Sequence, residues 1–475
     1  GMGIVCDRTN SKYGKFRPWI LWTAVPLAVT LSLLFTTPNL GPTGKIVYAY
    51  VTYLLFFIIY TANNIPYGAL MAVMTGDDKE RTSLGSYRMV GAFTGGMIVQ
   101  GALLFLVTYF GNIDPTIDVQ KLDKEKFLIT VSAPQNVHSV NIESKHGVAQ
   151  FQWNDSTLAT EANKPAPRIS FAMEANKPYS FIAQGEANLT ASTVRLINQK
   201  TGYSYAIYFL SFFLALFLII TFYTTRERVS PPKNQDSNLI RDLKDLIHNR
   251  PWVVMLLIGL LFNIYNSTKQ GILLYYFTHY MHSPLLSATY MIGLMIASIA
   301  GAMITSPLGR KFGKKNLFIG ALIFSGIVNA MMALCGPNDK VAIFTIGMIS
   351  EFGAAIFPTL FFAMLGDAAD YSEYKNGRRA TGLVYSAGSF ATKFGGGIAG
   401  ALIGFVLTAF HYNGQDSSTI QGAIPGIVML MSWIPAIITL IAAAVMTLYP
   451  LSQKKMDEIT IELNNRRAAE LAQNN

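Results

Sequence analysis

Residues 46–74 read IVYAYVTYLLFFIIYTANNIPYGALMAVM, a run without one Lys, Arg, Asp or Glu. An α-helix rises 1.5 Å per residue, so this run is long enough to cross the roughly 30 Å hydrocarbon core of a bilayer.

Working outward, similar apolar blocks occupy residues 18–38, 84–111, 205–225, 252–280, 285–307, 316–336, 341–366, 382–411 and 422–449. The 475-residue chain is 51% hydrophobic and 13% charged, with mean hydropathy +0.34; soluble domains carry about twice that share of charge. Backbone groups in lipid must be satisfied within their own segment, so the blocks read as helices. A β-barrel would show short alternating strands instead. The expected fold class is therefore an all-α membrane protein of about ten transmembrane helices.

The net charge of +10 does not indicate a nucleic-acid partner, because the basic residues sit in short loops. Stretches 1–17, 75–83, 226–251, 308–315, 367–380 and 450–475 carry them, in GKFRP, DDKER, TTRER, GRKFGKK and KNGRR. These are alternate loops, and the excess of Lys and Arg places them in the cytoplasm with both termini. Cys6 and Cys335 then fall on opposite sides, which disfavours a disulfide between them. No Cys/His cluster has metal-ligand spacing. The N-terminus has no signal peptide, and the chain begins in a loop.

Residues 112–204 form one long polar stretch on the outer side. FLITVSA, VHSVNIES, VAQFQW and RISFAM alternate in hydrophobicity, which predicts a small β-rich domain. NLT at Asn188 matches a glycosylation sequon, a pattern common by chance. The expected divisions are 1–111 (part of an N-terminal helix bundle), 112–204 (the extracytoplasmic insertion), 205–225 (one helix), 226–251 (a cytoplasmic linker), 252–449 (a six-helix bundle) and 450–475 (a tail with a solvated surface helix).

Ionisable residues inside the apolar blocks mark candidate sites. Lys393 lies about 16 Å into its block and Glu351 at similar depth, so the two are candidate partners. They either handle substrate or cation, or form a buried pair that fixes packing. Lys269 lies beside a polar face made by Asn263, Asn266 and Gln270, which either lines a cavity or holds a neighbour. Arg88 either serves the site or reaches back to the inner surface. Asp367, Asp370 and Glu373 share a helical face, with Lys375, Arg378 and Arg379 following. They form either an inner salt-bridge gate or a solvated loop. Gly395, Gly396, Gly397 and Gly400 read as close helix packing. No nucleophile–His–acid pattern or phosphate loop points to an enzyme.

DRTNSKYGKFRPWIL at 7–21, YTANNIPYGAL at 60–70, SYRMVGAF at 86–93, LLYYFTHY at 273–280 and GDAADYSEYKNGRRATGLVYSAGSFATKFGGG at 366–397 together resemble the glycoside–pentoside–hexuronide:cation symporters. This melibiose permease-like family belongs to the major facilitator superfamily. The resemblance covers nearly everything outside 112–204. It implies a twelve-helix fold of two bundles, of which the chain supplies about ten helices, the first two of the family pattern lying outside it. It also implies a sugar site using Arg88, Lys393, Asn64, Tyr67 and Asn263, with Lys269 and Glu351 as further candidates. Asp7, Arg8 and Arg310, in the related motifs GIVCDRTNSKYGK and GRKFGKK, join Asp367, Asp370 and Arg378 as gating candidates.

Departures from the sodium-coupled melibiose carriers are Asn64 in place of an Asp, Gly68 in place of an aromatic and Pro358 in place of a Trp. NIPYG is closer to the pentoside and glucuronide branches. The resemblance thus implies a monomeric secondary transporter of the bacterial inner membrane that symports a small sugar or glycoside with Na+ or H+ and needs no other cofactor. A lysolipid-type carrier of the same superfamily is one alternative. A non-transporting sensor using the 112–204 insertion is another.

Overall fold

The computed structural model describes residues 2–472 except residues 10, 39, 114, 124, 135, 145–148, 155–164, 187–188, 230–238, 285 and 413–418. Asn188 of the sequon therefore lies outside the described residues. The helices are α1 (Met2–Arg8), α2 (Arg17–Leu34), α3 (Pro42–Met74), α4 (Asp78–Gly111), α5 (Gln199–Thr224), α6 (Leu239–Ile247), α7 (Arg250–Tyr275), α8 (Leu286–Phe312), α9 (Lys314–Ala330), α10 (Lys340–Ala354), α11 (Ile356–Asn376), α12 (Thr381–Ala409), α13 (Ile420–Met431), α14 (Trp433–Thr447) and α15 (Gln453–Ala472). Among the described residues, ten helical segments are long and apolar enough to cross a membrane. They are α2–α5, α7 with its π-helical extension Tyr276–Tyr280, α8, α9, α12, and the two broken pairs α10–α11 and α13–α14.

Both breaks have the same cause. Pro358 is the third residue of α11 and Pro435 the third of α14. Proline lacks an N–H and clashes inside a helix, yet is tolerated in a first turn, so the chain restarts just before each. At the second break, buried Asn329 donates to the carbonyls of Met431 (3.2 Å) and Ser432 (2.9 Å), replacing bonds the helix gives up. Between α8 and α9, Gly313 has φ +77°, a conformation other residues adopt at a cost, so GRKFGKK turns there.

The chain forms two compact units. One comprises Gly1–Thr23, Tyr60–Met97 and Leu218–Asn475; the other comprises Ala24–Ile59 and Ile98–Phe217. The second contains the predicted β-domain, with strands β1 (Thr116–Asp123), β2 (Lys126–Ser132), β3 (Val137–Ser144), β4 (Gln150–Trp153), β5 (Arg168–Met173), β6 (Tyr179–Gln184) and β7 (Val194–Ile197). They make two antiparallel sheets, ordered β1-β2-β6-β4 and β5-β3-β7. In β2, Phe127, Ile129 and Val131 point inward and alternate with half-buried Leu128 and Thr130. They share a core with Val140, Ile142, Phe151 and Phe181. The period of two that betrayed the strands in the sequence is the alternation that fills this core.

The first unit holds the candidate site. There α7 and α12 pack closely. An added Cβ on Gly395 would lie 2.6 Å from the Leu260 carbonyl oxygen, so a side chain would force the helices apart. The packing reading of that glycine holds.

Candidate functional site

Two arrangements of polar side chains occupy the first unit, at different depths. The shallower one lies at the end bearing the basic loops. Arg81, on the first turn of α4, is fully buried, and its two terminal nitrogens grip Asp367 (2.8 Å) and Asp370 (2.7 Å) of α11. Lys314 at the start of α9 bonds Asp367 and sits 3.2 Å from Asp78 of α4. Arg379 bonds Asp370 and lies 2.7 Å from Glu373. Arg467 of α15 adds a 2.8 Å contact to Glu373, and Gln453 donates to Asp78 at 2.9 Å. Four cations thus neutralise four carboxylates.

Removing buried charges from water is costly, and the arrangement persists because each charge meets opposite partners. Gly366 lets Arg81 in, since a Cβ there would sit 2.7 Å from its Cδ. Gly377 ends α11 at φ +64° and turns the chain so that Arg379 folds back onto the same helix.

Asp7 belongs to this end too. Its carboxylate accepts the backbone N–H groups of Gly382 (2.8 Å) and Leu383 (3.0 Å), capping the start of α12. Burial outweighs those donors and the nearby Lys15, and raises its pKa from the usual carboxylate range to about 6. A folded-state pKa above the unfolded one gives stability that is fully present below the unfolded value of 3.8 and is lost as pH rises through about 6. Asp7→Asn is therefore expected to flatten this dependence. Between pH 4 and pH 7 the melting temperature of the wild type should fall relative to that of the variant. Parallel melting curves for the two proteins across this range would refute the assignment.

The sequence expectations for this end need four corrections. Arg378 does not bond Asp370; it pairs with Asp242 and Asp245 of α6 in the linker, and its neighbour Arg379 bonds Asp370 instead. Arg310 forms no ion pair among the described residues; Lys314, four residues on in the same motif, does. Arg8 is exposed at the end of α1 and forms none either. The C-terminal helix α15 is not simply solvated, since Met456, Ile459 and Leu463 are buried and Arg467 enters the network. Asp367 and Asp370 are buried and ion-paired, not part of a solvated loop.

The deeper arrangement centres on Arg88. It lies ten residues beyond Asp78 along α4, about 15 Å deeper, which is half of the roughly 30 Å hydrocarbon thickness. Its guanidinium stacks on Phe362 (4.2 Å to the ring centre) and Tyr67 (4.9 Å). Its Nη1 is enclosed and has no hydrogen-bond partner. An enclosed guanidinium nitrogen without an acceptor is costly to the resting protein and suited to an incoming one.

Tyr60, Asn64 and Tyr67 fall at i, i+4 and i+7 on α3, one face of the helix. Tyr60 lies in electrostatic range of Arg88, and the Lys393 ammonium from α12 sits 4.7 Å over the Tyr60 ring. Lys393 is exposed although it lies twelve residues, about 18 Å, into α12. A charge at that depth faces an aqueous space between helices. Tyr60 and Phe362 were not among the sequence candidates, because aromatic residues in a membrane helix read as ordinary packing. Asn263 is half-buried on α7 where that helix meets Gly395.

Lys269 and Glu351 depart from expectation. The ion pair of Glu351 is with Lys269 (3.8 Å), not Lys393, and Ser298 of α8 donates to Glu351 at 3.1 Å. Lys269 also donates to Tyr265 (3.2 Å) and is buried. The pair joins α7, α8 and α10. Lys269→Met or Glu351→Gln alone leaves one buried charge and is expected to cost about 3–5 kcal/mol. Replacing both with Met should recover most of the melting temperature; a double variant as unstable as either single one would count against the pairing. Among the described residues, no group of three His, Cys, Asp or Glu side chains is placed to hold a metal ion.

Comparison with known proteins adds the wider context. The family model described as MFS/sugar transport protein matches residues 1–133 and 177–453. The chain is 28% identical over 438 residues to the isoprimeverose transporter of Lactiplantibacillus pentosus, covering 92% of this chain and 74% of that protein. It is 26% identical over 452 residues to the inner membrane symporter YicJ of Escherichia coli, covering 94% and 79%. The E. coli fucose:proton symporter FucP has a similar fold, with a TM-score of 0.61 over 95% of this chain and 86% of that one at 13% identity.

Proposed function

The chain belongs to the MFS/sugar transport protein family, and on that premise we propose that it symports a glycoside, pentoside or hexuronide with a monovalent cation by alternating access. The observation that carries this reading is the vertical order of the two arrangements. A polar and aromatic set with an unsatisfied guanidinium nitrogen lies at mid-depth, and a neutralised charge network lies beneath it at one end. A carrier needs a midplane site and a barrier that forms on one side at a time.

Arg88 and Lys393 would donate to sugar hydroxyls or to a uronate carboxylate, and Tyr60 and Tyr67 would offer ring faces and hydroxyls. Asn64 would serve as a neutral acceptor and donor on the same α3 face. The network from Arg81 to Arg467 would close the cytoplasmic end while the site faces outward. The excess of Lys and Arg in its loops supports a cytoplasmic location for that end and for both termini, and the named relatives support a multi-pass location in the inner membrane. The coupling ion is Na+ or H+.

The test is uptake of labelled glycosides, pentosides and glucuronides into cells or vesicles expressing the chain, with a Na+ or a proton gradient imposed separately. A saturable, gradient-dependent uptake of one sugar class is expected. Arg88→Ala should weaken that sugar's binding about 10- to 100-fold, the range for hydrogen bonds to a charged group. Arg88→Lys should recover little, because an ammonium cannot keep the stacked planar fork. Unchanged sugar affinity in Arg88→Ala would remove it from the site.

A further inference from the structure

On the same end as the charge network lies a second concentration of positive charge that the transport reading does not use. A cavity of about 510 Å³ is lined by Arg226 and Arg228, just past the end of α5, by Arg310 near the end of α8, and by Thr75, Glu80 and Ser83 at the α3–α4 turn. None of the three arginines forms an ion pair among the described residues, whereas every basic residue of the neighbouring network meets a carboxylate. The one acid in the lining, Glu80, accepts the Thr75 hydroxyl at 2.6 Å. Three cations therefore face one carboxylate, and the cavity is short of negative charge.

Its position indicates where that charge comes from. Arg226 and Arg228 follow the last apolar turn of α5 by two and four residues, and Arg310 stands two residues before the end of α8. Aromatic residues mark the same level on the outer surface: Tyr223 is 73% exposed, Tyr87 75% and Phe312 52%. Aromatic side chains with exposed apolar bodies at helix ends belong at the level of lipid headgroups. Arginine matches phosphate oxygens with paired donors, and basic pockets at the inner ends of membrane helices hold anionic headgroups.

We propose that this cavity binds the phosphodiester headgroup of an anionic phospholipid from the inner leaflet. Ser83 supplies a neutral donor beside the three guanidinium groups. Because Arg310 belongs to α8 while Arg226 and Arg228 follow α5, one headgroup held by all three ties these helices together at the end where the charge network closes.

The experiment uses the purified full chain in neutral detergent and three probes: cardiolipin, phosphatidylcholine and inorganic phosphate. Melting temperature is followed during each titration, and bound lipid is counted by native mass spectrometry. Cardiolipin is expected to stabilise the wild type and remain bound to it, while phosphatidylcholine and phosphate do neither. Each arginine should contribute roughly fivefold to lipid affinity, so Arg226→Gln/Arg228→Gln/Arg310→Gln should weaken cardiolipin binding about a hundredfold. A variant carrying Lys12→Gln, Lys375→Gln and Lys454→Gln, which removes equal charge elsewhere on the same end, should bind as the wild type does. The proposal is overturned if the arginine triple variant binds cardiolipin as tightly as the wild type, if the lysine control loses binding equally, or if inorganic phosphate alone reproduces the effect.

Discussion

Replacing Arg81 by alanine is expected to open the basic-loop end and to cut active sugar uptake by more than tenfold. Arg81 is 0% exposed and holds Asp367 and Asp370 at once, so its loss strands two buried carboxylates. Breaking a buried pair from one side costs about 3–5 kcal/mol. Lys314 still faces Asp367 and Arg379 still faces Asp370, which keeps the cost toward the lower end. About 3 kcal/mol shifts the balance between closed and open arrangements by roughly a hundredfold.

The readout is labelling of a cysteine at Ser86, one and a half turns beyond Arg81 and buried. In a Cys6→Ser/Cys335→Ser background, inside-out vesicles present this position to an impermeant thiol reagent only when the end opens. Labelling should be about a hundredfold faster with Arg81→Ala, and intermediate with Arg81→Lys, whose single ammonium cannot span both carboxylates. Equal rates with and without Arg81 would show that the network is not the barrier.

The second large effect is expected at Lys393. Lys393→Ala should reduce sugar uptake to background while leaving the melting temperature within about 2 °C. The two halves of that result come from its surroundings. The side chain is exposed at mid-depth and rests on the Tyr60 ring, so the fold does not depend on it. An exposed cation–π contact is worth about 0.5–1 kcal/mol, so its loss barely moves the fold, whereas a charged hydrogen bond to substrate is worth about 1.5–3 kcal/mol. Losing that bond lowers affinity about 10- to 100-fold, which brings uptake at low sugar concentration down to background. Lys393→Arg, which keeps the charge and the ring contact, should retain part of the uptake. Normal uptake by Lys393→Ala would exclude it from the site.

How far each of these residues could be read beforehand follows from the physics of the signal. Lys393 and Arg88 stood out because a charge in an apolar block is costly anywhere, whatever surrounds it. Arg81 did not, because DDKER looks like a hydrated turn until α11 is known to lie against it. The choice between Arg378 and Arg379 was beyond sequence. The two are adjacent, and the turn at Gly377 sends one back to Asp370 and Glu373 and the other to Asp242 on the linker helix. Likewise Glu351 had two lysines at suitable depth, and only the facing of α7, α8 and α10 gave it to Lys269.

Ten membrane-length helices, the β-rich segment between the third and fourth of them and the two mid-depth cations follow from the sequence alone. Hydropathy and alternation are local properties, set by backbone satisfaction in lipid and by the period of a strand. The tertiary structure decided which charge meets which. An ion pair depends on the distance between helices hundreds of residues apart, as with Arg81 and Asp367, and spacing along one helix carries no record of the partner's face.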